Sequence, residues 1–402
     1  MQAQHQKRIY IVGTADTKGE ELAYLAEQIS SLGQIPLIVD VGTRTPTIPV
    51  GISAQEIVGH SKKGAQSVLD TNDRGTAVAQ MGDAFARFIV TRDDIAGIIG
   101  IGGSGGTSIV TSGMRELPLG LPKLMVSTIA SGNVMPFVDI SDIMMMPSIT
   151  DLAGLNRLSR VVLSNAAHAI AGMAARPSLA ENDKPSLGLT MFGVTTPAVT
   201  SIVEQLKADY DCLVFHATGI GGRTMEKLAD SDMLAGVIDI TTTEVCDLLL
   251  GGTLPAKEER FDAIIRTQLP YICSVGALDM VNFGAIETVP ERYQGRNLYK
   301  HNPNITLMRT NATESRQIGE WLGAKLNQMK GEVRFLIPEK GVSALDAKGS
   351  AFFDPEADAA LFDAIEQSVT WNDHRKLLRL PHHINDPEFA AAAVAAWREI
   401  AS

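Results

Sequence analysis

Short apolar runs rich in isoleucine and valine alternate along the chain with longer stretches of helical period, the pattern of a parallel sheet covered by helices on both faces. The runs Arg8 to Val12, Pro36 to Val41, Ile95 to Ile101, Pro122 to Thr128 and Ile143 to Pro147 predict the five strands of a first doubly wound sheet. Between them Leu22, Leu25 and Ile29 form one apolar helix stripe, Ala77 to Val90 reads as a helix, and Asn156 to Ala175 as a long Ala-rich one. Met144-Met145-Met146 fits core filling. The polar stretch Arg176 to Ser186, with two prolines, then marks a boundary. Beyond it the pattern restarts: Leu187 to Val194, Asp211 to Ala217, Gly236 to Ile240, Tyr271 to Val275 and Val333 to Ile337 predict a second set of strands. Helices fall at Val199 to Lys207 and, closing the chain, at Glu388 to Ile400. The expectation is two α/β domains, 1–180 and 181–402, with a cleft between them.

Composition narrows the class. A chain of 402 residues with 45% hydrophobic and 20% charged positions has ample material for two full cores and lies far from the disordered corner. The formal charge of −11, with no basic block, argues against a nucleic-acid ligand. Cys212, Cys246 and Cys273 are widely spaced, which fits a reducing compartment and neither a disulfide framework nor structural zinc. The polar N-terminus and the absence of any long apolar run predict no signal peptide and no membrane span, hence a cytoplasmic protein.

The sharpest motif runs from Ile98 to Ser108, where a strand enters a turn holding Gly100, Gly102, Gly103, Gly105 and Gly106. Backbone amides without Cβ atoms in front of them can approach an anion closely, and the helix that follows adds its positive dipole end. Gly102, Gly103, Ser104, Gly105, Gly106 and Thr107 are therefore candidates for phosphate, joined by Ser127 and Thr128 at the end of the next strand. That strand ends without a carboxylate, which removes the ribose ligand of a dinucleotide site and with it the NAD reading. A tight turn that packs a helix onto the sheet is the competing explanation. The earlier turn Gly13-Thr14-Ala15-Asp16-Thr17-Lys18-Gly19 lacks the Gly-Lys-Ser/Thr order of a P-loop. Gly13, Thr14, Thr17 and Lys18 still lie where open α/β sheets bind ligands, although helix capping explains Thr17 equally well.

The second half repeats Gly-Ile-Gly-Gly at Gly219 to Gly222, now beside His216 and Arg223. His216 is a candidate general acid or base and Arg223 a candidate bidentate clamp for an anion; a structural histidine is the plainer alternative. Thr218, Gly221, Gly222, Thr242 and Asp279 complete an expected substrate site. The acidic and hydroxyl groups near Asp239 and Asp279 suit a hard cation or serve as helix caps, and no metal is assigned. His382 and His383, without a third ligand in sequence, make weak zinc candidates.

Taken in order, Gly13 to Lys18, Gly102 to Thr107, Ser127-Thr128-Ile129-Ala130-Ser131-Gly132-Asn133, His216 to Gly219 with Gly221-Gly222, and Leu380-Pro381-His382-His383 span nearly the whole chain. The set resembles a largely uncharacterised bacterial, fungal and plant family typified by the ATP-binding N-terminal domain of a plant tobamovirus-resistance protein. The resemblance implies paired Rossmann-like domains, ATP as ligand with Mg2+ as its candidate companion, and self-association. Plant members continue into a barrel-like domain, so the resemblance also implies that a chain ending at Ser402 acts alone or with a separately encoded barrel protein. The expected role is ATP binding in the metabolism of a small acidic molecule; a nucleotide-responsive regulatory module without catalysis is the alternative.

Overall fold

The computed structural model describes residues 6–64, 68, 73–175 and 184–401. The chain forms two compact units, Met1–Leu179 and Ala180–Ser402. Most of the polar boundary expected at Arg176 to Ser186 falls on residues 176–183, outside the described ones.

The first unit is a parallel sheet of β1 (Arg8–Gly13), β2 (Pro36–Asp40), β3 (Ile95–Gly102), β4 (Lys123–Ser127) and β5 (Met144–Pro147), in the order β2-β1-β3-β4-β5. Its helices among the described residues include α1 (Gly19–Ser31), α2 (Ala54–Val58), α3 (Arg74–Ile89), α4 (Ser104–Glu116), α5 (Met135–Val138) and α6 (Arg157–Ala174). The period of two in β1 divides the core: Tyr10 and Val12 face α3 and α4, whereas Ile9 and Ile11 face α1 and α6. All five expected strands are present. The helix expected at Ala77 begins earlier, at Arg74, because the Asp73 carboxylate accepts from the Thr76 amide at 2.8 Å and caps it. The methionine run does not fill a core throughout. β5 is the outer strand, so Met144 is exposed while Met145 and Met146 pack at the rims of the two cores.

The second unit is built around β6 (Ser186–Met191), β7 (Asp211–His216), β8 (Gly236–Thr241) and β9 (Tyr271–Gly276). A small antiparallel sheet follows, β10 (Met280–Phe283), β11 (Leu298–Asn302) and β12 (Ile305–Arg309), and the main sheet is completed by β13 (Val333–Pro338) and β14 (Arg375–Leu380). The order of the parallel sheet is β14-β13-β9-β8-β6-β7. Helices α7 (Thr196–Leu206) and α13 (Pro387–Ile400) cover one face. On the other lie α8 (Ile220–Asp230), α9 (Glu244–Leu250), α10 (Asp262–Thr267), α11 (Ala312–Leu326) and α12 (Pro355–Ser368). The Trp397 ring fills the space that a Cβ on the first residue of β8 would need, which is why that position is Gly236. The apolar pattern misses β14 and the antiparallel sheet. β14 is an outer strand with three basic residues in six, and β11 reads Leu-Tyr-Lys-His-Asn.

Candidate functional site

In the first sheet the chain leaves β1 for β2 on one side, then crosses back to β3 on the other, so the winding reverses between β1 and β3. Open α/β sheets bind ligands beyond the carboxyl ends of strands at such a reversal. The two ends here are Gly13 and Gly102.

After β1 the chain makes a tight turn: the amides of Thr17 and Lys18 both donate to the Thr14 carbonyl, at 3.1 and 2.8 Å, and the Thr14 and Thr17 hydroxyls lie 2.7 Å apart. The Asp40 carboxylate, at the end of β2, accepts from the amides of Ala15 at 2.9 Å and Gly42 at 2.8 Å. Burial, reinforced by the nearby Asp16 charge, raises the Asp40 carboxyl above its ordinary range although both amides oppose the shift. An acidic residue thus does end the second strand, but it is spent bracing the turn instead of reaching a ribose.

After β3, Gly103 stands at the N-cap of α4 and no side chain caps the helix. The first amides of a helix have no intrahelical acceptor, so the Ser104, Gly105 and Gly106 turn presents donors and a positive dipole end. A Cβ on Gly102 would press on Gly106 Cα at 2.9 Å, a packing requirement. On Gly103 and Gly106 it would meet nothing closer than 3.6 Å. These glycines border open space: a cavity of about 870 Å³ lined by the β1 turn, the loop after β2, the start of α3, the glycine turn and Thr128.

Of the residues singled out in sequence, Thr14, Thr17, Lys18, Gly102, Gly103, Ser104, Gly105, Gly106 and Thr128 line this cavity together. Gly13 lies beneath it against Leu22 and Ile101. Thr107 and Ser127 are buried behind the turn with their hydroxyls 2.6 Å apart. The cavity adds three charged residues that the motifs did not mark, Arg44, Arg74 and Asp151, beside Asp16 of the β1 turn. Among the described residues neither Arg44 nor Arg74 enters an ion pair, and with Lys18 they give three cations against two carboxylates. Their signal was topological: both follow the β2 side of the reversal, outside any glycine motif.

In the second unit the corresponding loop is differently built. His216 ends the outer strand β7, exposed, with its ring 5.2 Å from that of Phe192. Gly219 takes φ +77 and its amide donates to Glu244 Oε2 at 2.7 Å. A Cβ on Gly221 would overlap the His216 carbonyl oxygen, and one on Gly222 would overlap the Glu244 carboxylate. These glycines let α8 sit directly on its neighbours, and the half-buried Arg223 lies in its first turn. Thr218 donates to the His216 carbonyl at 3.3 Å. Thr242 and Asp279 are fully buried: the first donates to the Ser274 carbonyl at 3.1 Å, and the second accepts from the Ser343 hydroxyl at 2.8 Å. Burial raises the Asp279 carboxyl against the pull of Arg309. His383 uses both ring nitrogens, on the Ser343 carbonyl and the Asn385 amide. His382 gains what the sequence did not reveal, ligand atoms of Asp386 and Glu388, the three lying within 4.8 Å of one another.

Asp247 gives this unit a pH signature. Burial pushes its carboxyl up to about 6, although the Asn282 and Leu254 amides both donate to it. A folded-state value above the unfolded one, about 4, means that the folded state holds the proton more tightly, so this contribution to stability is complete below about pH 4 and is lost as pH rises through about 6. Denaturation midpoints measured between about pH 4 and 7 should fall with rising pH, and Asp247→Asn should flatten that slope; an unchanged slope would remove Asp247 as its source.

These features define a two-unit α/β protein whose first unit opens a glycine turn onto a polar cavity at its sheet reversal. The chain belongs to the uncharacterised protein family UPF0261, whose N-terminal domain matches residues 7–178 and whose C-terminal domain matches residues 184–401. It is 68% identical to the UPF0261 protein of Rhizobium meliloti over 98% of this chain and 100% of that one. The UPF0261 protein of Clostridium tetani is 44% identical over 96% and 97% of the two chains. The ToMV resistance protein Tm-1 of Solanum lycopersicum is 41% identical over 98% of this chain, which spans 56% of the tomato protein. Among solved structures, UDP-N-acetylglucosamine 2-epimerase from Rickettsia bellii aligns with 67% of this chain and 79% of its own at 10% identity and a TM-score of 0.23, a likeness that carries no argument. No helix among the described residues is long and apolar enough to cross a membrane.

Proposed function

We propose that the first unit binds ATP, with the triphosphate on the glycine turn of α4, and that the nucleotide serves chemistry on a small acidic molecule. The observation that carries this reading is the coincidence of three features at one place. An uncapped helix N-terminus, glycines whose Cβ positions are open, and three cations from three separate segments all border one cavity. The volume suits a nucleotide-sized ligand. The backbone amides take the phosphates, as they can only where no Cβ intervenes, and Lys18 adds a point charge. Arg44 and Arg74 supply forks for phosphate or for the carboxylate of the acidic co-substrate. Asp16 and Asp151 are the carboxylates that would share Mg2+ with the phosphates.

ATP with magnesium should raise the melting temperature of the protein, since a ligand bound only to the native state adds about 2.7 kcal/mol at a hundredfold excess over Kd. Thermal melts with millimolar ATP, ADP and GTP measure this. No shift with any of them would sink the nucleotide reading. ADP release that depends on an added small acid would establish turnover, and ATP binding without it would leave a nucleotide-responsive module.

A further inference from the structure

The loop after β5 has a backbone conformation that its sequence does not favour. Ile149 sits at φ +66, in the left-handed region where a β-branched residue is a genuine outlier. Its side chain is 71% exposed, so burial does not offset the strain. The Thr150 amide donates back to the Ser148 carbonyl at 2.8 Å, closing a three-residue turn of the strained hand around Ile149. Strain of this kind persists only where the surroundings impose it. Two side chains at the start of α1 do so, beside the burial of Leu152 in the core of that face. The Lys18 ammonium donates to the Leu152 carbonyl, and the buried Glu21 carboxylate accepts from the Gly154 amide at 2.8 Å. Lys18 also lines the cavity, as does Asp151, the residue before Leu152.

We propose that residues 148–156 form a strap, tied to the cavity floor through Lys18 and released when a phosphate ligand competes for that ammonium. The proposal rests on the nucleotide reading and adds what the ligand does to the chain. Three effects point the same way. A phosphate oxygen carries negative charge, so its bond with the Lys18 ammonium adds an ion-pair attraction that the neutral Leu152 carbonyl lacks. The same phosphate repels the Asp151 carboxylate across the cavity. Release also lets Ile149 leave the left-handed region. Arrival of the ligand at the glycine turn is thereby reported at the surface, where residues 148–156 become available.

Hydrogen exchange on the full chain, with fragments that isolate residues 149–155, tests this with ATP in EDTA as the probe. EDTA matters because a divalent cation would bridge Asp151 to the phosphates and cancel the repulsion. ATP should accelerate exchange of the Gly154 amide by about tenfold or more, and Lys18→Met should give a comparable acceleration without ATP. If ATP raises the melting temperature but leaves Gly154 exchange unchanged, the strap is wrong and nucleotide binding stands. If ATP leaves Gly154 exchange unchanged in EDTA and the melting temperature unchanged with magnesium as well, the nucleotide reading fails and release fails with it. A folded Lys18→Met protein that exchanges Gly154 like the wild type would show that Lys18 does not hold the strap, which also overturns the proposal.

Discussion

Replacing Arg260 with leucine should cost the second unit about 4 kcal/mol, a large share of a domain's stability. The guanidinium is 2% exposed and binds three carboxylates: Asp239 at 2.6 Å, Glu226 at 2.7 Å and Glu244 at 2.5 Å. Asp239 also accepts from the Tyr271 hydroxyl at 2.6 Å, and the Phe261 ring lies 4.4 Å from the guanidinium carbon. Asp239 and Glu244 have no exposure, so without the cation their charge meets neither water nor a counter-ion. Arg260→Lys keeps the charge but loses the planar fork, and should fall between wild type and leucine. The control is Arg266→Ala, which removes an exposed pair with Asp230 and should cost less than about 0.5 kcal/mol. Calorimetry of the three variants decides it. A leucine variant within about 1 kcal/mol of wild type would mean that the hub is held by protonated acids and packing.

Gly103→Asp should weaken ATP binding by about a hundredfold or more while leaving the protein folded. The two halves of that expectation come from separate observations. Gly103 has φ −80, a conformation open to any residue, and its Cβ would have 3.6 Å to the nearest atom, Thr128 Oγ1. The new carboxylate would then stand at the mouth of α4 where the phosphates are placed, and like charges so juxtaposed cost several kcal/mol, each increment of about 1.4 kcal/mol being tenfold in Kd. Gly103→Ala separates bulk from charge and should bind with a smaller loss. Titration calorimetry on both variants, with melts to verify folding, reads the result. A folded Gly103→Asp protein that binds ATP with wild-type affinity would place the phosphates elsewhere.

The first sheet was legible because its strands are nearly continuous apolar runs, those of β1, β3 and β4 buried on both faces, and Asn156 announces α6 by accepting from the Leu158 and Ser159 amides. The outer strand β14 was not, because Arg375, Lys376 and Arg379 interrupt its pattern. Within the cavity, glycines and hydroxyls were readable since their chemistry is local to a motif. Arg44, Arg74 and Asp151 were not, because they reach the cavity by the path of the chain and carry no motif of their own. The second Gly-Ile-Gly-Gly shows the converse limit. The same letters serve an open turn at Gly103 and a filled one at Gly221 and Gly222, and only the atoms beside each glycine distinguish them.

Asp40 has a consequence for the tempo of recognition. Its carboxylate fixes the β1 turn through the Ala15 and Gly42 amides, so the chain itself supplies the anion that organises this half of the cavity floor. A ligand meeting such a floor has little backbone to order there, and the entropy it would otherwise lose in doing so has already been lost during folding. Association should therefore proceed in one fast phase at the rate of encounter, with any slower phase confined to the 148–156 side.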